Sequence, residues 1–404
     1  MKQFLKNYPF LTLGLVPYLL LGCGGTSGNS SGRLDATQQA LSLDWQRVGL
    51  LTPAAVTFQL QLLGSVSSPT VGGRVLAADD IFTSGTTAYI SYNLGGDTLS
   101  GSIDQVTNVN SVPVLAASVG FPTTKINGLF RNGSDLFAVG ASSGADGPAV
   151  IKKFNVADPL LPSSLIATLS QAIGSYAGVG VIQRGTSIYA LAGDDAINGG
   201  LSVYDSSLVR SSFTALRDAR GIAYSSLNTG NMYVVAAQPG RIVEVTTAGT
   251  VVQTIALGGA ATPESKSTIS VGKTMMIASI GEGGAKVVCR ADGHILASIS
   301  APVVAGLSPG LTVTNAVAAG QGLFFAANGE AGIYVYSMKD SAPTGSVCNT
   351  VTLSVLGSIP LGSGLSANNL KFVDGTLYVA NGLGGFKLIS VVSTPSVGDN
   401  TDFN

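Results

Sequence analysis

Charge is what this chain has least of. Charged residues make up 11% of its 404 positions, against about 25% in an ordinary soluble domain. Glutamate is almost absent, and the net charge is −1. No basic stripe runs through the chain, which argues against a nucleic-acid partner. Histidine occurs once, as His294, so no two-histidine metal site can form. A Ser-His-Asp triad would have to use that single residue, which opens an outer strand-like run. Tryptophan also occurs once, as Trp45. There is no HExxH and no complete P-loop. The three cysteines form no CxxC, so neither a zinc ribbon nor a dithiol redox motif is indicated. Mean hydropathy is positive, at +0.40. Even so, no apolar run beyond residue 22 approaches the ~18 residues that a membrane helix needs.

The N-terminus carries the first positive signal. Lys2 and Lys6 precede an apolar core, Leu11 to Leu21, interrupted by Thr12, Gly14 and Pro17. The core is too short and too interrupted for a span. It ends in Leu-Leu-Gly-Cys at 20–23. This resembles a bacterial lipoprotein signal peptide with its lipobox. The resemblance implies removal of residues 1–22 and lipidation of Cys23, which would anchor the chain to a membrane without spanning it. The expected location is the bacterial envelope, at the outer membrane, facing the periplasm or the cell surface. Residues 23–32 are then the lipidated cysteine and a flexible Gly/Ser tether. Residues 33–55, with Trp45, form an N-terminal extension lying on the main domain. Cys289 and Cys348 remain as an even pair in an oxidising compartment, available for a disulfide or present as two buried thiols.

The rest of the chain repeats. Glycine supplies 53 residues, and Val, Ile, Thr and Tyr are plentiful, a composition that favours short strands joined by tight turns. A turn glycine recurs with an aromatic three or four residues later. The pairs are Gly85/Tyr89, Gly133/Phe137, Gly185/Tyr189, Gly230/Tyr233, Gly322/Phe325 and Gly375/Tyr378, and in the Gly272 unit Met275 replaces the aromatic. Successive glycines are 48, 52, 45, 42, 50 and 53 residues apart. Each unit reads as four strands, the signature of an all-β propeller, and seven units of roughly 48 residues fill the stretch 56–395. The last unit lacks a fourth strand. Residues 58–66, FQLQLLGSV, resemble fourth strands such as VLAASV at 114–119 and stand before the first complete unit. A ring of seven blades closed by this N-terminal strand leaves no open sheet edge; six or eight blades are the neighbouring counts. Residues 396–404 form a C-terminal tail.

In the second unit, NVADPLLPSSLIATL at 155–169 resembles the LVIVD-type repeat of bacterial surface propellers through Asp158, Pro159 and Pro162. VANGLGGFKLIS at 379–390 resembles the preceding half of that repeat. GRIVEVTTAGTVVQTI at 240–255 looks more like generic NHL-type or quinoprotein-like repeats. The resemblance implies an extracytoplasmic propeller and brings no catalytic residues with it. WD-type repeats fit badly because recurrent Trp-Asp is missing. Kelch and quinoprotein-like blades fit badly because they need a tryptophan each.

The chemistry is concentrated in two places. Loops between second and third strands carry Asp97, Asp146, Asp194, Asp195, Glu282 and Glu330, with Arg241 the main opposing charge. Their joint emergence on one face would create a negative potential suited to a cation or a basic partner. Within this set Asp194, Asp195 and Asn198 are a weak candidate for Ca²⁺, without the full loop pattern that calcium motifs show. Around the channel, first strands offer Asp79, Asp80, Lys125, Asn127, Gln183, Asn315 and Asn368, a mixed lining that fits a plugged or water-filled channel better than a metal centre. Residues 338–352 are read as an inserted loop carrying Cys348. No catalytic constellation and no firm cofactor emerges. The expected function is a lipid-tethered scaffold binding another envelope or surface protein. The alternative is a metal-assisted hydrolase or lactonase-like propeller using channel or loop carboxylates.

Overall fold

The computed structural model describes residues 32–54, 58–94, 99–143, 148–156, 169–193, 199–225, 230–263, 265–341, 348–393 and 403. They form an all-β propeller of seven antiparallel blades. Blade 1 is Ala77–Ser84, Thr87–Asn93, Gly101–Thr107 and Val114–Phe121. Blade 7 is Asn369–Val373, Thr376–Ala380 and Phe386–Ser393, completed on its outside by Phe58–Val66. The last of these pairs from Phe58↔Ser393 to Val66↔Phe386, so the ring closes through the N-terminal strand as the repeat pattern requires.

The repeat has a physical cause at two turns. Gly85, Gly133 and Gly185, between first and second strands, have φ of +56°, +57° and +59° with open space around a notional Cβ. There the backbone conformation alone demands glycine. Gly385, which opens a third strand, is different. Its φ is +79° and an added Cβ would stand 2.0 Å from the carbonyl oxygen of Val66. The aromatics that follow the turn glycines are buried without exception: Tyr89, Phe137, Tyr189, Tyr233, Phe325 and Tyr378, with Met275 in the equivalent place. Each belongs to one of seven apolar clusters, and each cluster joins two consecutive blades. The core is therefore a ring of wedges rather than a central mass.

Two expectations need correction. Residues 338–352 are not a simple loop. The third and fourth strands of blade 6 run on as a long hairpin, Ile333–Ser341 and Thr350–Ile359, paired out to Ser341↔Thr350. Beside its end, Cys348 is bonded to Cys289 of blade 5, with Cα atoms 5.8 Å apart. The extension after residue 32 also does more than lie on the domain. Leu34–Asp35 and Gln39–Leu41 add to the closing strand. Asp44 bridges to Ser358 of blade 6. The Arg33 guanidinium forks onto the fully buried Asp104 of blade 1, donating to Oδ1 at 3.1 Å and also to Oδ2. The extension thus ties blades 1, 6 and 7 together across the closure. Among the described residues no helix is long and apolar enough to cross a membrane.

Candidate functional site: the channel and its mouth

Four first strands carry a β-bulge at the same place. The register skips between Ala78 and Asp80, Ile126 and Gly128, Gly178 and Gly180, and Ala219 and Gly221. A bulge leaves its extra residue out of the ladder and re-aims the side chain. The extra residues are Asp79, Asn127, Val179 and Arg220, and all four line a central cavity of about 680 Å³. The ladder irregularity is thus what delivers these side chains to the channel.

At the blade-connection end of the channel, Lys266 of blade 5 reaches across to blades 1 and 2. Its Nζ donates to the main-chain carbonyls of Asp79 at 2.9 Å and Asn127 at 3.3 Å. It also stands 2.9 Å from Asp79 Oδ2. Burial pushes the Asp79 carboxyl above the usual aspartate range, with the Lys266 charge opposing the rise. A second pair, Asp218 and Arg220, closes at 2.9 Å, and Arg220 also donates to the carbonyls of Thr262 and Ser265. Asp80 is held by the Leu129 amide at 2.9 Å and by Asn369 Nδ2 at 2.6 Å.

The asparagines expected in the channel act as staples between blades. Asn127 donates to Gly178, Asn315 to Ala367 and Asn368 to Ala78, at 2.9, 3.0 and 2.9 Å, each reaching the next blade round the ring. Gln183 is a correction: it sits beside the strand turn at the opposite end, with Nε2 donating to Gly185, and it does not line the cavity. Lys125 does line it. Lys266, Arg220, Asp218, Ser267 and Asn369 were missed by sequence reasoning. A signal for two of them was present. Asp79, Asn127, Val179, Lys266 and Asn369 each stand six residues before their turn glycines, Gly85, Gly133, Gly185, Gly272 and Gly375. Arg220 escapes that count because its unit has extra residues before Gly230.

Two buried polar atoms of the lining lack a hydrogen bond among the described residues, Ser267 Oγ and Asn369 Oδ1, while Asp79 Oδ2 has the Lys266 ion pair. An orphan of this kind costs roughly 1–3 kcal/mol. The wall also carries apolar and aromatic residues, including Ile81, Leu129, Ile222, Phe82, Phe130 and Tyr224, together with Lys125, Lys371, Asn93, Thr83 and Thr268.

Of the acidic set, Glu282 and Glu330 are described. Both lie in turns between second and third strands, Glu282 exposed and Glu330 half-buried, with the Glu330 carbonyl accepting from Arg47. Asp97, Asp146, Asp194, Asp195 and Asn198 lie outside the described residues, as do Cys23, the tail from 394 except residue 403, and the stretch 157–168 that carries most of the LVIVD-like motif. Exposed apolar residues share the face of Glu282 and Glu330: Val75, Tyr176, Val303, Leu311 and Leu383 all sit in blade connections or second-to-third-strand turns. His294 is exposed and bonds to Asp292 at 2.6 Å. Together with Cys289 these residues bring three ligand types within 4.8 Å, but the Cys289 sulfur is committed to Cys348.

No family model matches the chain, and no curated protein sequence matches it. Solved structures do. The RRP9 WD40 repeats are 12% identical with a TM-score of 0.57, covering 84% of this chain and 98% of that one. U3-55K is 12% identical with a TM-score of 0.57, covering 84% and 100%. The WD40 β-propeller domain of Doa1 is 10% identical with a TM-score of 0.52, covering 80% and 96%. At such identity the likeness is one of fold.

Proposed function

We propose that this chain is a protein-binding scaffold propeller, held by lipid on Cys23 to a bacterial envelope membrane and engaging another envelope or surface protein. The observation that carries the reading is the face bearing Tyr176, Val303, Leu311 and Leu383 beside Glu282 and Glu330. Exposed apolar groups among a few charges are the composition of an interaction surface. The low overall charge favours association in the same way. The LVIVD-like segments and the lipobox support an extracytoplasmic setting.

The competing reading is a metal-assisted hydrolase using channel carboxylates. Against it stands the position of Lys266. Its ammonium already occupies the cation position beside Asp79 and the Asn127 carbonyl, where a metal would need oxygen ligands free.

Two measurements test the proposal. Cys23→Ser should release the protein from the membrane fraction, and retention equal to the parent would overturn the anchor. Partners would be captured from native membranes with the anchor intact. Changing Tyr176, Val303 and Leu383 to Ser should weaken capture. Neutral amides at Asp97, Asp146, Asp194, Asp195, Glu282 and Glu330 should slow association and flatten its salt dependence. Capture unchanged by both sets would remove this face from consideration.

A further inference from the structure

The disulfide between blades 5 and 6 has further donor atoms beside it. Cys289 ends the third strand of blade 5, Ala285–Cys289, and the turn that follows brings the chain straight back. The Gly293 amide donates to the Cys289 carbonyl and the Cys289 amide to the His294 carbonyl, each at 2.9 Å. Asp292 fixes the rest of the turn. Its Oδ1 accepts from the His294 amide at 3.1 Å and stands 2.6 Å from His294 Nδ1. A sulfur, a carboxylate oxygen and an imidazole nitrogen therefore lie within 4.8 Å of one another. Cys348 of blade 6 brings a second sulfur to the same point, because it is bonded to the first. Both cysteines are buried, whereas Asp292 and His294 are exposed, so the cluster runs from the blade interface to the surface.

Two cysteines, one histidine and one carboxylate are a donor set for tetrahedral Zn²⁺. Thiolate and imidazole select it over Ca²⁺ and Mg²⁺, which take oxygen ligands. While the sulfurs are bonded to each other they are not available as thiolates. A dithiol reductant releases them: the S–S bond takes two electrons and two protons to give two thiols, and the reductant leaves as its own disulfide. Zn²⁺ then displaces both protons and binds the two thiolates. We infer that the reduced chain holds one Zn²⁺ through Cys289, Cys348, His294 and Asp292, and that metal and disulfide are alternative staples between blades 5 and 6. The metal keeps the two blades linked whenever the cysteines are in the dithiol state. The site lies at the end of blade 5 opposite the blade connections and is independent of the scaffold reading.

The test uses the full chain carrying Cys23→Ser, which leaves Cys289 and Cys348 as its only cysteines. The chain is reduced with a phosphine, because a dithiol would itself hold zinc, and is titrated anaerobically with Zn²⁺ against a chromophoric chelator. The reduced chain should bind one equivalent with a Kd on the order of 10⁻⁸ M or tighter. The disulfide form should bind about a hundredfold more weakly or not saturably. His294→Ala and Asp292→Asn should each weaken binding about tenfold or more, since even the loss of an outer-shell partner costs that much. Asp292→Asn keeps an oxygen for the His294 amide, so the turn is retained. Zn²⁺ should raise the melting temperature of the reduced parent and protect both thiols from alkylation. Absence of one-to-one binding, or equal binding by the disulfide form, would overturn the inference. Parental affinity in either variant would do the same, because it would reduce the site to a dithiol chelate. So would a reduced chain that unfolds and is not restored by Zn²⁺.

Discussion

The side chains that matter most here are few and oppositely charged, in keeping with a chain that spends so little on charge. Arg33 and Asp104 illustrate the consequence. Asp104 is fully buried and its carboxylate is met by a guanidinium that is itself mostly covered. Removing one partner of a buried pair strands the other. Arg33→Ala should therefore lower stability by about 2–4 kcal/mol in urea unfolding, less than a fully enclosed pair because Arg33 keeps some exposure. Lys153→Ala, which breaks the more open pair with Asp135, should cost under about 1 kcal/mol. Equal losses in the two variants would contradict the clamp role of Arg33. Lys266 invites a pH argument. Burial already raises the Asp79 carboxyl, and Lys266→Met removes the charge that opposes the rise. A carboxyl raised in the fold binds its proton more tightly there than in the unfolded chain. Its stabilising effect is full below about pH 4 and is lost as pH climbs through the folded value. Lys266→Met should thus lose stability between acidic and neutral pH more steeply than the parent, and adding Asp79→Asn should remove the extra slope. An unaltered pH profile in Lys266→Met would show that the ammonium does not govern this carboxyl.

Among the elements, the closing strand Phe58–Val66 carries the largest consequence. Phe58 and Leu60 belong to the cluster between blades 6 and 7, and Leu63 and Val66 to the one between blades 7 and 1. Deleting residues 24–31 should leave thermal unfolding unchanged, since that Gly/Ser tether contributes no apolar residue. Deleting through Val66 removes apolar groups from two clusters at once and bares the third strand of blade 7 as an edge. It should lower the melting temperature steeply and promote association. Two truncations with the same melting temperature would refute closure by this strand.

For the molecule as a whole, stability is distributed round the ring. Every blade interface has its own cluster, and many contain an aromatic in a fixed position. Tyr233 and Tyr378 are two of these, Tyr336 lies on a third strand in the cluster between blades 5 and 6, and burial pushes each of the three phenols up to about 12. The unfolded value is about 10, so the native state holds these protons more tightly. Stability should be intact below about pH 10 and fall as pH rises towards 12, as the unfolded chain ionises first. Phenolate absorbance followed alongside circular dichroism should show the last tyrosines titrating together with loss of the fold. Their full ionisation near pH 10 in a folded protein would place these rings at the surface.

How much of this was legible beforehand depends on whether a feature repeats. The seven units, their turn glycines and buried aromatics, and even the bounds of the closing strand follow from local rules. A positive-φ turn needs glycine and a blade interface needs a large apolar side chain, and both recur at a readable period. The hairpin of blade 6 reads as a loop in the sequence because its pairing lies in the register between two strands, which composition does not encode. The channel was legible only in part. Asp79 and Asn127 stand out as polar residues in first strands, whereas nothing in the local sequence pairs Lys266 with Asp79 or Arg220 with Asp218. What brings them together is the bulge in the first strands and the convergence of separate blades on one axis. Sequence alone determined the kind of fold, because that rests on short-range chemistry repeated many times. Tertiary structure alone decided which charges meet, because residues 187 positions apart, such as Asp79 and Lys266, become neighbours only when the ring closes.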